Sequence, residues 1–372
     1  MTQLSRRETL IGLGVASLAS PAWAKGAIYW PVGPGWDTTT PEVAGFVPEK
    51  LASALAKVIT EQKSKSAVVL RGGRIVAEAY APGWTASTPR IMASATKSWV
   101  SILIGMAIDD GFIKGVEQSA GDFVPGWKGT PKAAITIRHL LTMSSGLDQK
   151  GLRVRGITGD QFVLAAAAPL IHPPGTVWDY NTPIYHLLFH ILNVATGEPF
   201  ISYATRKLVK PLGMEAVSWE TDMGQGATGP VTNIYAAKSC AHDMARFALF
   251  LERGGAWNGK QLVSKSYFKA ATSPSQAMNR AYGYLIWLNA EPGHNAGGQI
   301  QGNRFGPAPR DTISAIGAEG QYATAIPSLD LCLVRQGDTS PDPAAPIRFI
   351  NEVVWSLKGS AAPDTQTSMP AT

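Results

Sequence analysis

Two residues have the types and spacing of a nucleophile and its base. Ser94 and Lys97 lie three positions apart, so a helix that begins here places the hydroxyl and the amine on one face. The positive end of the helix dipole and the apolar neighbours Trp99 and Val100 favour the neutral form of the amine. A neutral amine can take the serine proton, which makes Ser94 a nucleophile.

The same spacing occurs a second time, at Ser266 and Lys269. A chain of this length and composition is expected to contain about one such pair by chance. The first pair stands where a loop of small residues leads into a long apolar segment, as a buried nucleophile requires. The second lies in a polar stretch, residues 263–269, which is interpreted as an exposed helix start.

The segments around the first pair must position it. Residues 94–110 have helical spacing closed by Gly111, and residues 48–62 predict an earlier helix. Apolar runs on either side of Gly72-Gly73 predict a β-hairpin. The middle of the chain, residues 131–255, is predicted to be helical throughout, and strands are expected at 282–288, 312–316, 321–326 and 331–336, before a last helix at 347–357.

This order predicts an α/β sandwich (α+β) around a central antiparallel sheet flanked by helices, with an inserted all-α lobe. Both chain ends would supply the sheet, as residues 25–115 and 270–358, and residues 116–269 would form the helical lobe. The site is expected in the cleft between the two lobes.

Composition excludes several classes of protein. Of 372 residues 45% are hydrophobic, which argues against a disordered chain. The 33 basic and 27 acidic residues give a net charge of +6, and no five like charges occur in a row. Neither nucleic acid nor a membrane surface is therefore expected as a partner.

The two chain ends are predicted to lie outside the folded unit. Residues 1–24 have a basic start, a short apolar run and an Ala-x-Ala cleavage signal, and Arg6-Arg7 resemble a twin-arginine export signal. The sequence therefore predicts a periplasmic protein without stable membrane insertion after signal removal. Residues 359–372 are predicted to be a disordered tail. The sequence does not indicate the oligomeric state.

Cysteine and histidine do not indicate a metal site. Cys240 and Cys332 are expected to be two buried free thiols, although a pair could form in an oxidising compartment. His186 and His190 have zinc-ligand spacing, but no glutamate follows the first histidine. No metal and no cofactor are expected.

Four further segments carry a family resemblance. They are residues 136–147, 174–180, 240–247 and 317–321. In this order and spacing they resemble the serine β-lactamase/penicillin-binding-protein-like superfamily, and within it the class C β-lactamase-type branch, which includes esterases, D-amino-acid-releasing peptidases and 6-aminohexanoate-dimer hydrolases. The resemblance covers residues 66–357.

The resemblance implies roles for individual residues. Ser94 would be the nucleophile, Lys97 its base partner, and Tyr180 the tyrosine that passes a proton to the leaving group. A phenol close to cations ionises more readily, so Tyr180 is expected to act first as base and then as acid. The backbone N–H groups of Ser94 and Ala318 are expected to form the oxyanion hole. Gly317 would let its strand approach the substrate closely.

The chain departs from the family at two places. Thr182 stands where the family's Tyr-x-Asn motif has asparagine, so either Thr182 or the neighbouring Asn181 is expected to hold the substrate. Residues 315–317 read Ala-Ile-Gly where β-lactamases carry Lys-Thr-Gly, whose cation would pair with the carboxylate of a penicillin. The form Ala-Ile-Gly-x-x-Gly-Gln is most similar to that of the 6-aminohexanoate-dimer hydrolase and esterase members.

These features predict a serine hydrolase that cleaves a small-molecule ester or amide through an acyl-enzyme on Ser94. Glu319 is expected to contact a substrate amine, and Gln321 is also expected to bind the substrate. Two alternatives stay open. One is a β-lactamase or D-Ala carboxypeptidase, which nitrocefin turnover would indicate; the other is a non-catalytic protein that binds penicillin or peptidoglycan, which a serine-directed label would leave unmodified.

Overall fold

A computed structural model of the chain describes residues 28–33, 35–152, 160–222 and 233–360. The predicted signal peptide and residues 361–372 of the predicted tail lie outside the described residues. Within the described part, no helix has both the length and the apolar character needed to cross a bilayer.

A six-stranded antiparallel sheet forms the centre, as the sequence predicts. Its strands are β1 (Ser64–Arg71), β2 (Arg74–Tyr80), β8 (Trp287–Leu288), β11 (Ile313–Gly317), β12 (Gln321–Ile326) and β13 (Leu331–Gly337). Their order is β2-β1-β13-β12-β11-β8, so strands from the two ends of the chain meet where β1 pairs with β13. Gly72 and Gly73, both with positive φ, close the predicted hairpin between β1 and β2.

Helices cover both faces of this sheet. Every residue of β12 and β13 is buried, and because alternate side chains point to opposite faces, neither face is open to solvent. Helices α1 (Pro48–Thr60) and α10 (Ala345–Trp355) pack on one another, and α1 lies against β1 and β2. Helix α8 (Ala241–Glu252) packs against β1, β12 and β13.

Helix α2 (Thr96–Asp109) runs between the sheet and the helical region. Its residues from Thr96 to Ala107 are all buried, as in a helix surrounded by protein on every side. It contacts β11, α6 (Leu187–Thr196) and α9 (Lys265–Ala271). The remaining helices are α3 (Ile137–Leu141), α4 (Gln161–Ala167), α5 (Thr182–Tyr185) and α7 (Phe200–Ala204).

The prediction of an entirely helical middle region is wrong. It contains β4 (Ser218–Asp222) and β5 (Asn233–Ser239), which form a three-stranded antiparallel sheet with β3 (Arg90–Ile91) from earlier in the chain, in the order β3-β5-β4. The sequence signal is weak because β5 is rich in alanine and has no clear apolar alternation. Two short hairpins complete the strands: β6 (Ala256–Trp257) with β7 (Lys260–Gln261), and β9 (Gly293–Asn295) with β10 (Gly298–Ile300).

Two further predictions need correction. The strand expected at 282–288 is reduced to Trp287–Leu288, because the chain turns before it: Leu285 has a φ of 55°, and Gly283 donates to the Ile286 carbonyl. Within the middle region, which was expected to be helical throughout, the helical segment from Thr182 to Thr196 is divided at His186 into α5 and α6.

Candidate active site

Ser94 lies in a tight turn immediately before α2. A 3-10 turn spans Ala93–Ala95, and Ala93 has a φ of 46°, in the left-handed region that alanine rarely adopts. Ser94 is half-buried and therefore accessible from outside, whereas Lys97 is fully buried. Lys97 Nζ lies 2.9 Å from Ser94 Oγ, so the structure brings the predicted nucleophile and base into contact.

Strand β5, which the sequence pattern does not reveal, holds this turn in place. The Met92 N–H donates to the Ala237 carbonyl over 2.8 Å, and the Ala237 N–H donates to Thr96 Oγ1 over 3.0 Å. Both bonds are buried, and together they fix the backbone on either side of Ser94. The pairing offers no sequence signal, because Ala237 takes part through its backbone.

Gly317 supports the same turn from the sheet side. A Cβ at this position would lie 2.0 Å from the Met92 carbonyl oxygen and 3.1 Å from the Ala95 nitrogen. The close approach that the absence of a side chain at Gly317 permits in this structure is to the turn that carries Ser94.

Replacing Gly317 with alanine is expected to displace the turn that carries Ser94. Since both contacts are backbone atoms, the added methyl group cannot be relieved by a side-chain rotation, and overpacking of this kind costs about 1–3 kcal/mol. We expect kcat/KM for an ester to fall by about 100-fold. Gly359→Ala is the control, since a Cβ there meets nothing within 4 Å, although its own positive φ adds local strain. Unchanged kcat/KM in Gly317→Ala would contradict this positioning role.

The surroundings of Lys97 favour its neutral form. Its amine lies over the rings of Tyr185, 4.3 Å from the centroid, and Tyr180, 5.1 Å from the centroid. Burial lowers the pKa of Lys97 to about 7. No carboxylate forms an ion pair with Lys97 among the residues that the structure describes, so nothing opposes this effect.

Tyr180 is close to both residues, but its acidity differs from the expectation. Burial raises the pKa of Tyr180 to about 12, and this outweighs the hydrogen bond with Ser94 and the positive charge of Arg304, which both lower it. The expectation that nearby cations make the phenol ionise readily is corrected, because desolvation is the larger effect. At neutral pH Tyr180 is a proton donor.

An aromatic cluster surrounds Tyr180. The ring of Tyr180 stacks on Trp287 at a centroid distance of 5.9 Å, and Trp287 meets Tyr282 edge-on at 4.7 Å. Trp178 contacts the rings of Tyr180, Tyr282 and Trp287. Arg304, which the sequence analysis did not single out, lies over the Trp287 ring at 4.9 Å.

Asn181 and Thr182, the two candidates for the role of the asparagine in the family's Tyr-x-Asn motif, have different surroundings in the structure. Asn181 is buried, and its amide is used by the protein itself: Nδ2 donates to the Leu147 carbonyl, and Oδ1 accepts from the Ile184 N–H at the start of α5. Thr182 is half-buried. Asn181 is therefore a helix cap whose amide is not presented to a substrate.

The turn that follows β11 contains the other predicted residues. Ala318 and Glu319 belong to a 3-10 turn that contacts the Ala93–Ala95 turn, so the two predicted oxyanion donors lie on adjacent turns. Glu319 Oε2 accepts from Arg90 at 2.7 Å, so its charge is already paired. Gln321 is fully buried and donates to the Gly337 carbonyl at 2.7 Å, which places it in the sheet and away from solvent.

The other candidate groups are explained structurally. Ser266 and Lys269 are exposed on α9, as the sequence indicates. His186 Nδ1 lies 2.6 Å from Gln161 Nε2, and His190 stacks on Phe162, so the two rings have separate partners. Cys240 and Cys332 are buried and free.

Comparison with solved structures shows which proteins share this fold. A candidate 6-aminohexanoate-dimer hydrolase from Bacillus anthracis has the same fold, with 19% identity, a TM-score of 0.67, and coverage of 87% of both chains. EstCE1, a hydrolase with promiscuous acyltransferase activity, has 15% identity and a TM-score of 0.60 over 82% of this chain and 98% of its own. At these identities the likeness shows the fold alone.

Sequence comparison adds the family. A candidate penicillin-binding protein of Bacillus subtilis (strain 168) is 32% identical over 80 residues, or 22% of this chain. The chain spans 20% and 54% of the length of the two curated relatives that it matches. The model of the beta-lactamase family matches residues 55–350, which include every residue placed in the site above. The chain therefore belongs to the beta-lactamase family, with the fold of its serine hydrolases.

Proposed function

We propose that this chain hydrolyses ester or linear amide bonds of small molecules through an acyl-enzyme on Ser94. One observation carries the proposal: a buried amine, without a carboxylate partner among the described residues, lies 2.9 Å from the Ser94 hydroxyl. Since the pKa of Lys97 is lowered to about 7 by burial, much of the amine is neutral at physiological pH and can act as a base.

The proposed steps conserve protons. Neutral Lys97 takes the Ser94 proton while Oγ attacks the carbonyl carbon, and the N–H groups of Ser94 and Ala318 stabilise the oxyanion. Tyr180, protonated because burial raises its pKa to about 12, donates to the leaving group and regains a proton from Lys97. Neutral Lys97 then takes a proton from a water molecule that attacks the acyl carbon. When the intermediate collapses, Ser94 Oγ leaves the acyl carbon and takes this proton back from Lys97, which releases the acid and restores the free enzyme.

The strand beside the nucleophile supports esters and linear amides as substrates. Residues 315–317 are Ala-Ile-Gly, so β11 presents no cation to the carboxylate of a penicillin. The names of two structural neighbours, a candidate amide-dimer hydrolase and an acyl-transferring hydrolase, describe the same range of acyl chemistry. The predicted export signal in residues 1–24 supports a periplasmic location for this activity.

The pH dependence of acylation tests the base. We expect kcat/KM for a p-nitrophenyl ester to fall about tenfold per pH unit below pH 7, because only neutral Lys97 accepts the serine proton. Above pH 7 the rate should reach a plateau that extends to about pH 10, since the pKa of Tyr180 is raised to about 12 and the phenol keeps its proton. Stopped-flow rates corrected for spontaneous hydrolysis give the profile. A rate that does not change between pH 5 and 8 would contradict the role of Lys97.

A further inference from the structure

Arg304 is a buried cation without an acidic partner among the described residues. The residue is 8% exposed and follows β10 in the chain. Among the residues that the structure describes, no carboxylate forms an ion pair with it, and its buried Nε has no hydrogen-bond partner. Burying an unpaired charge is costly, so its retention calls for a partner that the folded chain does not supply.

Other buried arginines in this fold show how such a group is usually satisfied. Arg335 donates to the carbonyls of Gln62, Glu319 and Gly320. Arg246 likewise donates to backbone carbonyls, at Leu212 and Gly33. Arg304 has no such bonds to the described part of the chain, which sets it apart from both.

The contacts that Arg304 does make leave its hydrogen-bond donors free. Its guanidinium lies over the rings of Trp287, at 4.9 Å, and Phe305, at 5.6 Å. A cation over an aromatic ring is held by electrostatic attraction to the ring face and needs no hydrogen bond from its N–H groups. The N–H donors lie in its plane, in the forked arrangement that binds a carboxylate through two parallel hydrogen bonds.

Arg304 is also close to the reacting groups. The Trp287 ring beneath it stacks on Tyr180, and the Tyr180 ring centroid lies 5.1 Å from Lys97 Nζ. Two contacts, Arg304 on Trp287 and Trp287 on Tyr180, therefore connect the guanidinium with the phenol, and the surface between them is aromatic. This arrangement suits a substrate whose apolar spacer separates the scissile carbonyl from a negative group.

We propose that Arg304 binds a terminal carboxylate of the substrate, so that the preferred substrates are esters or amides whose acyl chain ends in a carboxylate. The proposal rests on the proposed function and adds the substrate class. It differs from penicillin binding through a strand cation, because Arg304 lies outside β11 and reaches the site across Trp287.

Two p-nitrophenyl esters of equal acyl length test the proposal: the monoester of suberic acid, and the same compound with its free carboxylate capped as a methyl ester. We expect the wild-type kcat/KM to be at least about tenfold higher for the free acid. Arg304→Met should remove this preference, and Arg304→Lys should restore part of it, because lysine keeps the charge but not the fork. Suberate should compete with the substrate in the wild type but not in Arg304→Met.

Arg310→Met is the matched control. Arg310 lies six residues further along, is exposed, and is paired with Glu291, so its loss should leave the preference unchanged. Turnover of both esters by the wild type without preference, or equal losses for both in Arg304→Met, would overturn the carboxylate site alone. Failure of the wild type to form an acyl-enzyme with either ester would overturn the proposed function, and this proposal with it.

Discussion

Replacing Ser94 with alanine is expected to abolish the initial burst of p-nitrophenol that formation of the acyl-enzyme releases. The same substitution should lower kcat/KM for a p-nitrophenyl ester by at least about 10⁴-fold. The reason is that, among the residues that the structure describes, the Ser94 hydroxyl is the one hydrogen-bonded to the buried amine of Lys97, and Ser94 is partly exposed. The oxyanion donors would survive and give the small residual rate. The measurement is stopped-flow release of p-nitrophenol under single-turnover and steady-state conditions.

Ser266→Ala is the control for this substitution. It removes the serine of the second Ser-x-x-Lys pair, which is exposed on α9, and should leave both phases intact. A burst that persists in Ser94→Ala would show that the nucleophile lies elsewhere. A loss of activity in Ser266→Ala equal to that in Ser94→Ala would show that the assay reports folding and not chemistry.

Replacing Lys97 with methionine is expected to lower the acylation rate by about 10³-fold, within the range that a positioned general base contributes. Methionine has a similar length but cannot take the serine proton. Because burial lowers the pKa of Lys97, the folded state binds this proton less tightly than the unfolded state, so the lysine costs stability below its unfolded pKa. The variant should therefore melt at or above the wild-type Tm.

Two further variants separate base catalysis from charge. Lys97→Arg keeps a cation, which does not act as a base at neutral pH, and should be as slow as Lys97→Met. Lys269→Met removes the exposed lysine of the second pair and should have no effect. Substantial activity in Lys97→Arg would contradict the base role, because it would mean that positive charge suffices.

Much of this architecture could be predicted from local pattern. The hairpin at Gly72-Gly73 and the strands at 321–326 and 331–336 have strong periodicity, and their order along the chain indicates a sheet that is shared by both ends. Ser94 and Lys97 could be identified because residues three positions apart in a helix lie on the same face, about one turn from each other. Such features depend on neighbours in sequence, which is where sequence reasoning is most informative.

The remaining features depend on neighbours in space. Ala237 supports the nucleophile turn through backbone atoms, so its side chain gives no signal. The acidity of Tyr180 is set by how much protein surrounds it, and a list of nearby cations gives the wrong direction. Glu319 is paired with Arg90, 229 positions away, and no motif joins them. Arg304 becomes notable only when its lack of an acidic partner among the described residues is visible.

The most direct test of the account is the site of acylation. The protein is mixed with p-nitrophenyl acetate, quenched in acid during the burst, digested, and mapped by mass spectrometry. We predict one acetyl group per chain, carried by Ser94, and no acetyl group at that position in Lys97→Met at the same time point. An acetyl group on another residue, or steady turnover with Ser94 unmodified throughout, would contradict the account.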